Sequence, residues 1–191
     1  MEAVRTDPRI LRTRKLIMNA FVELANKKEF KDITIKDITT KATVNRATFY
    51  YHFIDKYDLL EKVLKEDLMT NVISEIAEHE ILNKDTLASV FLSLTKFVQL
   101  LSSQCRRSYV AFASTIEAII KDELEEFFYQ KMMEQKPESE RESIRVAAAI
   151  LSWAIYGAFA DWQKNSGESP EHYFEKAIPI LTKGMDILAA D

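Results

Sequence analysis

Glycine occurs 3 times, proline 4 times and cysteine once in this chain of 191 residues. So few turn-forming residues exclude a fold built from many tight hairpins, and no alternating run of useful length suggests a strand. An all-α protein is therefore expected. The single cysteine, Cys105, excludes an intrachain disulfide and reads as a small buried side chain rather than a nucleophile. The histidines His52, His79 and His172 lie too far apart to suggest a metal-ligating set. Paired carboxylates, a glycine-rich phosphate loop and nucleophile motifs are missing as well, so neither catalysis nor a cofactor is expected. The acidic pairs Asp122-Glu123 and Glu125-Glu126 fit a solvated helical face. No apolar run reads as long enough to cross a bilayer, and the polar, basic beginning of the chain is unlike a secretory leader. The expectation is a cytoplasmic protein with no membrane partner.

What is present is hydrophobic residues at 47%, enough for a substantial core, and an uneven distribution of charge. The net charge of −4 hides a division. Residues 1–56 carry 12 Lys and Arg against 7 Asp and Glu, a net of +5, and residues 57–191 carry 14 against 23, a net of −9. A basic head on an acidic body suits a partner such as nucleic acid for the head alone. The same division sets the expected domains, 1–56 and 57–191.

The basic part contains one densely punctuated stretch, residues 34–56, reading TIKDITTKATVNRATFYYHFIDK. Thr34 and Asp37 form a capping box, in which each side chain satisfies the other's backbone N–H. Ile35, Ile38 and Ala42 then share a helical face. The run Ala42-Thr43-Val44-Asn45 breaks the pattern, and Asn45 caps a second helix from Arg46 to His52. Phe49 and Phe53 fall on one side of that helix. Thr48, Tyr50 and Tyr51 point away, with Arg46 and His52 at the flanks. Aromatic clusters at helical spacing are usually core, but consecutive Tyr50, Tyr51 and His52 cannot all face one core. Two short helices with such a turn predict a helix-turn-helix, whose second helix enters the major groove of DNA.

Upstream, Ile17, Ala20, Phe21 and Leu24 give a first helix over residues 9–28, preceded by a loose arm. Arg9, Arg12, Arg14 and Lys15 at its front suit either phosphate contact or plain solvation. Phe30 and Ile33 fill the connection. Downstream, Asp55 and Asp58 mark the start of a helix with Leu59, Leu60, Val63 and Leu64 on its inner face, running on towards His79 as a connecting rod.

The succession of a basic helix, TIKDI, ATVNRATFYYHF and DKYDLL resembles the DNA-binding domain of the TetR family of bacterial transcriptional regulators, over roughly residues 9–64. The resemblance implies an all-α protein with an N-terminal three-helix helix-turn-helix domain and a C-terminal helical bundle for dimerisation and effector binding. It implies double-stranded DNA as partner and an operator of palindromic form. The DNA-binding residues it marks, together with the capping residues above, are Thr34, Lys36, Asn45, Arg46, Thr48, Tyr50, Tyr51, His52 and Lys56. Of these, Arg46 and Thr48 stand at base-contacting positions, Tyr50 and His52 at backbone-holding ones, and Lys56 at the family's phosphate-binding lysine. Thr43 stands where the family usually has glycine, and a β-branched residue is poor at positive φ.

The rest of the chain reads as helices over 86–103, 106–116, 117–135, 139–165 and 170–189. Ser139 with Glu142 forms a capping box, and Ser169-Pro170 places a cap before proline at the first helical position. The helix over 139–165 is apolar nearly all round, so it must be covered on two sides. Small residues Ala154, Gly157, Ala158 and Ala160 allow a close helical neighbour. The last helix supplies Phe174, Ile178, Ile180, Leu181, Met185 and Leu188. These two helices are expected to form half of an intersubunit four-helix bundle. Phe97, Leu101, Cys105, Tyr109, Phe112, Met132, Met133, Trp153 and Tyr156 are soft or aromatic residues that suit a pocket for a small apolar or aromatic effector. The sequence leaves open whether the body takes such an effector or a partner protein, and whether the protein represses or activates.

Overall fold

The computed structural model describes residues 7–104, 106–137 and 140–183, and among them every regular element is helical. Contacts divide the chain into two compact units, Met1–Leu64 with Leu101–Ala113, and Lys65–Leu100 with Ser114–Asp191.

The first unit contains α1 (Pro8–Ala25), a 3₁₀ turn (Phe30–Asp32), α2 (Ile35–Ala42), α3 (Arg46–His52) and the start of α4 (Lys56–Leu68). Proline opens α1 because its missing N–H is one that a helix start leaves unused anyway. Asp7 caps it, accepting the Arg9 N–H at 2.8 Å. The helix ends at Ala25, earlier than periodicity alone suggests. Ile17, Phe21, Ile33, Ile38, Phe49, Phe53 and Leu59 are almost wholly excluded from solvent and form one core. Each such side chain contributes about 1.5–3 kcal/mol through burial.

The capping box opens α2 as read: Thr34 Oγ1 accepts the Asp37 N–H at 3.1 Å, and Asp37 Oδ2 accepts the Thr34 N–H at 3.0 Å. The turn after α2 holds Thr43 in the left-handed region, φ 56° and ψ 43°. Thr43 is the one non-glycine residue with positive φ among the described residues. Its backbone N–H and that of Val44 reach the carbonyls of Thr40 and Thr39, at 3.3 and 3.0 Å. The turn keeps its left-handed form in spite of the β-branched side chain, at a cost of about 1–2 kcal/mol.

The second unit takes the remainder of α4, a π-helical segment Met69–Ile73, α5 (Ser74–Ile76), most of α6 (Lys84–Gln104) and α7 (Arg106–Gln135), α8 (Arg141–Asn165) and α9 (Pro170–Lys183). Two sequence expectations are corrected. The connecting rod does not run as one regular α-helix to His79; its hydrogen bonding widens at Met69–Ile73 and regular helix stops at Ile76. The helices expected over 106–116 and 117–135 are a single helix of 30 residues. No glycine or proline interrupts it, and Ser114 and Thr115 are tolerated within a helix. Ser139, Met185 and Leu188 lie outside the described residues, so the capping box at Ser139 and the end of the last helix do too. The described start of α8 has Glu140 as N-cap without a side-chain bond to the backbone.

α9 is fixed to its own unit by aromatic and polar contacts. Phe174 is buried and stacks on Phe91 with ring centres 4.4 Å apart. Tyr173 donates to Asp161 at 2.6 Å, and burial together with that carboxylate pushes the phenol up to about 12. On α8, Ile144, Ala148, Ser152, Ile155 and Phe159 are buried. Val146, Ile150, Trp153 and Gly157, spaced along another face, are exposed in the single chain. The absence of membrane-length apolar runs is also corrected: Lys84–Ser103 and Arg141–Asn165 are each long and apolar enough by composition. Interspersed Ser, Thr and Ala disguise both runs when only strongly apolar residues are counted. Half of the α6 segment is buried within the protein.

Candidate nucleic-acid interface

The candidate surface is the outer side of α3 with the front of α2. Phe49 and Phe53 are buried, with ring centres 5.7 Å apart, and this fixes which side of α3 faces outwards. Asn45 caps the helix: its Oδ1 accepts the Thr48 N–H at 2.7 Å and the Thr48 hydroxyl at 2.9 Å. Arg46 is exposed, and its guanidinium donates to the Tyr50 hydroxyl at 3.1 Å and lies 5.5 Å from that ring's centre. Tyr50 and Tyr51 are 46% and 68% exposed, unusual for rings of this size unless something else covers them. Lys36, on the first turn of α2, is exposed, as are Arg9, Arg12 and Lys15 on α1. Other cations are paired locally: Lys28 with Asp37, Lys31 with Glu29 and Lys41 with Glu23.

His52 is half-buried, and burial, then the Arg14 charge, hold its pKa below the ordinary histidine value. The imidazole is therefore neutral at pH 7. Arg14 also lies over the Phe53 ring, 5.7 Å from its centre, and Lys62 lies 5.5 Å from the same ring. Asp58 completes this arrangement, accepting the Ile54 N–H at 2.9 Å and the Lys62 ammonium at 3.0 Å. Burial raises the Asp58 pKa, but these hydrogen bonds and the charges of Lys62 and Arg14 outweigh it and leave the carboxyl below its ordinary value. The sequence reading missed Lys62, although its spacing of four residues from Asp58 was a visible signal. Lys56 differs from the other named residues. Its ammonium donates to the main-chain oxygens of Phe30, Lys31 and Ile33 at 3.0, 3.3 and 2.9 Å.

Thr34, Lys36, Asn45, Arg46, Thr48, Tyr50, Tyr51, His52 and Lys56 thus all lie in the first unit, on α2, α3 and their caps or at the start of α4. The residues named for an effector pocket are dispersed. Leu101, Tyr109 and Phe112 belong to the first unit, where Phe112 packs edge-on against Phe30 with centres 4.4 Å apart. Phe97 is buried in the second unit. Trp153 and Tyr156 flank the Lys121 ammonium, which lies 3.4 and 5.6 Å from their ring centres. Met132 lines an open groove of about 430 Å³ with Leu82, Gln135, Lys136, Ser143, Ile144 and Ala147. Cys105 lies outside the described residues. Among the described residues no cluster of three His, Cys, Asp or Glu side chains is placed to hold a metal ion.

A short capped helix with buried phenylalanines inside and Arg, Thr and Tyr outside, preceded by a second capped helix and a tight turn, defines a helix-turn-helix domain. Residues 17–63 match the sequence model of the bacterial regulatory proteins of the tetR family. Residues 17–63 are thus similar to the helix-turn-helix DNA-binding domain of this family of bacterial regulators. The chain is similar to an uncharacterized HTH-type transcriptional regulator, YxbF, of Bacillus subtilis (strain 168), with 27% identity over 154 residues. That match covers 78% of this chain, which spans about 40% of the relative's length. The fold is similar to that of a TetR transcriptional regulator from Streptococcus agalactiae 2603V, with TM-score 0.58, 18% identity, and 92% and 96% of the two chains covered. It is also similar to that of the TetR family repressor AlkX from Dietzia sp. strain DQ12-45-1b, with TM-score 0.55, 19% identity, and 95% and 98% covered.

Proposed function

We propose that the protein is a cytoplasmic, homodimeric repressor that binds a palindromic operator in double-stranded DNA and is released by a small, mostly apolar effector. Residues 1–56 read the DNA, and residues 57–191 carry dimerisation and regulation. The observation that carries the reading is the outer face of α3. Arg46 and Tyr50 are exposed on a helix whose other side is locked into the core by Phe49 and Phe53. Arg46 and Thr48 serve base recognition, while Tyr50, Tyr51, His52 and Lys36 hold the backbone, with Thr34 and Asn45 fixing the two helix starts.

Dimerisation uses α8 and α9. Val146, Ile150 and Trp153 are 42%, 65% and 61% exposed on α8, and Ile180 is 60% exposed on α9, which leaves an apolar surface for a second copy. The groove containing Met132 supports a mostly apolar effector, because Leu82, Met132, Ile144 and Ala147 line it beside Gln135, Lys136 and Ser143. Its openness suits a partner protein as well, and that is the competing outcome. The test is genome-fragment selection with the purified protein, followed by titration of the selected duplex against a library of apolar compounds. Release of the duplex by a compound, with a matching rise in thermal stability, supports the effector. Release only by a cell protein supports the alternative. No enriched fragment contradicts the DNA-binding reading itself.

A further inference from the structure

The end of α7 and the start of α8 flank the open groove of about 430 Å³ that Met132 lines. Small-molecule clefts usually measure about 300–1,000 Å³. At about 30 Å³ for each water-sized volume, this one has room for roughly a dozen non-hydrogen atoms. Its floor is apolar, made by Leu82, Met132, Ile144 and Ala147. Gln135, Lys136 and Ser143 stand beside that floor, and their hydrogen bonds decide what each can still offer. The Leu82 N–H donates to Gln135 Oε1 at 3.2 Å. Only the amide oxygen can meet a donor, so the Gln135 amide keeps both of its own N–H donors. The Ser143 hydroxyl gives its proton to Glu140 Oε2 at 3.2 Å. The Lys136 ammonium has no side-chain partner among the described residues. Glu134, two positions before it, is taken by Lys131 at 3.4 Å.

We infer that the groove takes a monoanionic amphiphile, an organic carboxylate whose apolar body lies on Leu82, Met132, Ile144 and Ala147 and whose head is held by Lys136 and the Gln135 amide. The inference rests on the reading of the groove as an effector site and adds the charge of the ligand to it. A neutral ligand leaves the Lys136 charge unused, and a cation is repelled by it. A carboxylate brings two acceptor oxygens to a rim that has donors to give, one of them charged. Lys136 is exposed, so water and salt screen the attraction. The apolar floor therefore supplies most of the affinity, and the head chooses among ligands of similar body.

The experiment uses three probes with the same ten-carbon tail and different heads: decanoate, decanol and decyltrimethylammonium, each below its micelle concentration. Calorimetric titration and thermal unfolding follow their binding to the full chain, to Lys136→Gln and to Ala147→Phe. Lys136 and Ala147 are both exposed, so neither substitution enters the core. Decanoate is expected to bind most tightly and the ammonium probe most weakly. Lys136→Gln should weaken decanoate about 3- to 5-fold and leave decanol unchanged, and added salt should remove the same advantage. Ala147→Phe, whose ring occupies the groove, should block all three. Decanol binding as tightly as decanoate, or decanoate binding unchanged in Lys136→Gln, overturns the inference. If Ala147→Phe still blocks the probes in that case, the groove stands as an effector site without a charge preference. Decanoate binding undiminished in Ala147→Phe places the ligand elsewhere and overturns the inference too. No heat and no rise in Tm with any probe also overturns it. A neutral apolar compound that binds the unmodified chain but not Ala147→Phe then keeps the groove reading, and the lack of any such compound removes that reading as well.

Discussion

The Arg46 guanidinium lies 3.1 Å from the Tyr50 hydroxyl, one turn further along α3. This contact holds a long, exposed cation along the outer side of α3; in the proposed function it lowers the entropy lost when Arg46 reaches a base. Arg46→Ala should cost about 1–3 kcal/mol on the operator and relax preference at one base pair. Binding curves on the operator and on single-base variants check this. Equal loss on operator and scrambled DNA would assign Arg46 to the backbone instead.

Thr43 supplies a second prediction. Its left-handed backbone costs about 1–2 kcal/mol, and glycine removes that strain while giving back about 0.5–1 kcal/mol through the greater freedom of its unfolded state. Thr43→Gly should therefore stabilise the protein by up to about 1 kcal/mol, raising Tm by roughly 2–4 °C for a chain of this size. Thermal unfolding by circular dichroism is the measurement, and a lowered Tm contradicts the account of the turn.

His52 sets a pH dependence. Its folded-state pKa lies below the ordinary value of about 6.5, so the unfolded chain takes up the proton first. Stability contributed by the neutral ring is present above about pH 6.5 and is lost as pH falls through the lower folded value. A DNA phosphate acts in the opposite sense, favouring the charged ring. Operator binding should thus take up a proton and tighten as pH falls from 7 towards 6, and His52→Gln should abolish that dependence. A pH-independent affinity in the unmodified chain would remove His52 from the phosphate contacts.

Gly157 separates folding from association. A Cβ placed there meets nothing within 4 Å in the single chain, so Gly157→Glu should leave helix content intact. In a dimer built on α8 and α9 the same carboxylate is buried against the second copy. Sedimentation should show a folded monomer for the variant and a dimer for the unmodified chain. Trp153, exposed beside Val146 and Ile150, should show a blue-shifted emission only in the dimer. A variant that remains dimeric places the interface elsewhere.

The head was legible in sequence because its signals are local. Thr34 with Asp37, and Asn45 with Thr48, act over three residues, and Phe49 with Phe53 over four, so spacing alone specifies them. Thr43 marks where local propensity stops deciding: a β-branched side chain is poor at positive φ, yet Thr43 is left-handed, with its N–H and that of Val44 bonded to the α2 carbonyls. The bonds from Lys56 to the carbonyls of Phe30, Lys31 and Ile33 were not legible, because they join residues 23 to 26 apart and use main-chain oxygens that carry no sequence identity. The pocket residues were read from type alone. Type does not say that Phe112 packs on Phe30, or that Trp153 lies beneath Lys121. The widening of the rod at Met69–Ile73 has no composition signal.

In the proposed function two copies present two α3 helices to one duplex. The most direct test is selection of duplexes from random DNA by the full-length protein, with the stoichiometry of the selected complex measured by sedimentation. The expected result is an inverted repeat with half-sites about one helical turn or slightly more apart, bound by chains in multiples of two. A single asymmetric site bound by one chain, or no enriched sequence at all, would contradict it.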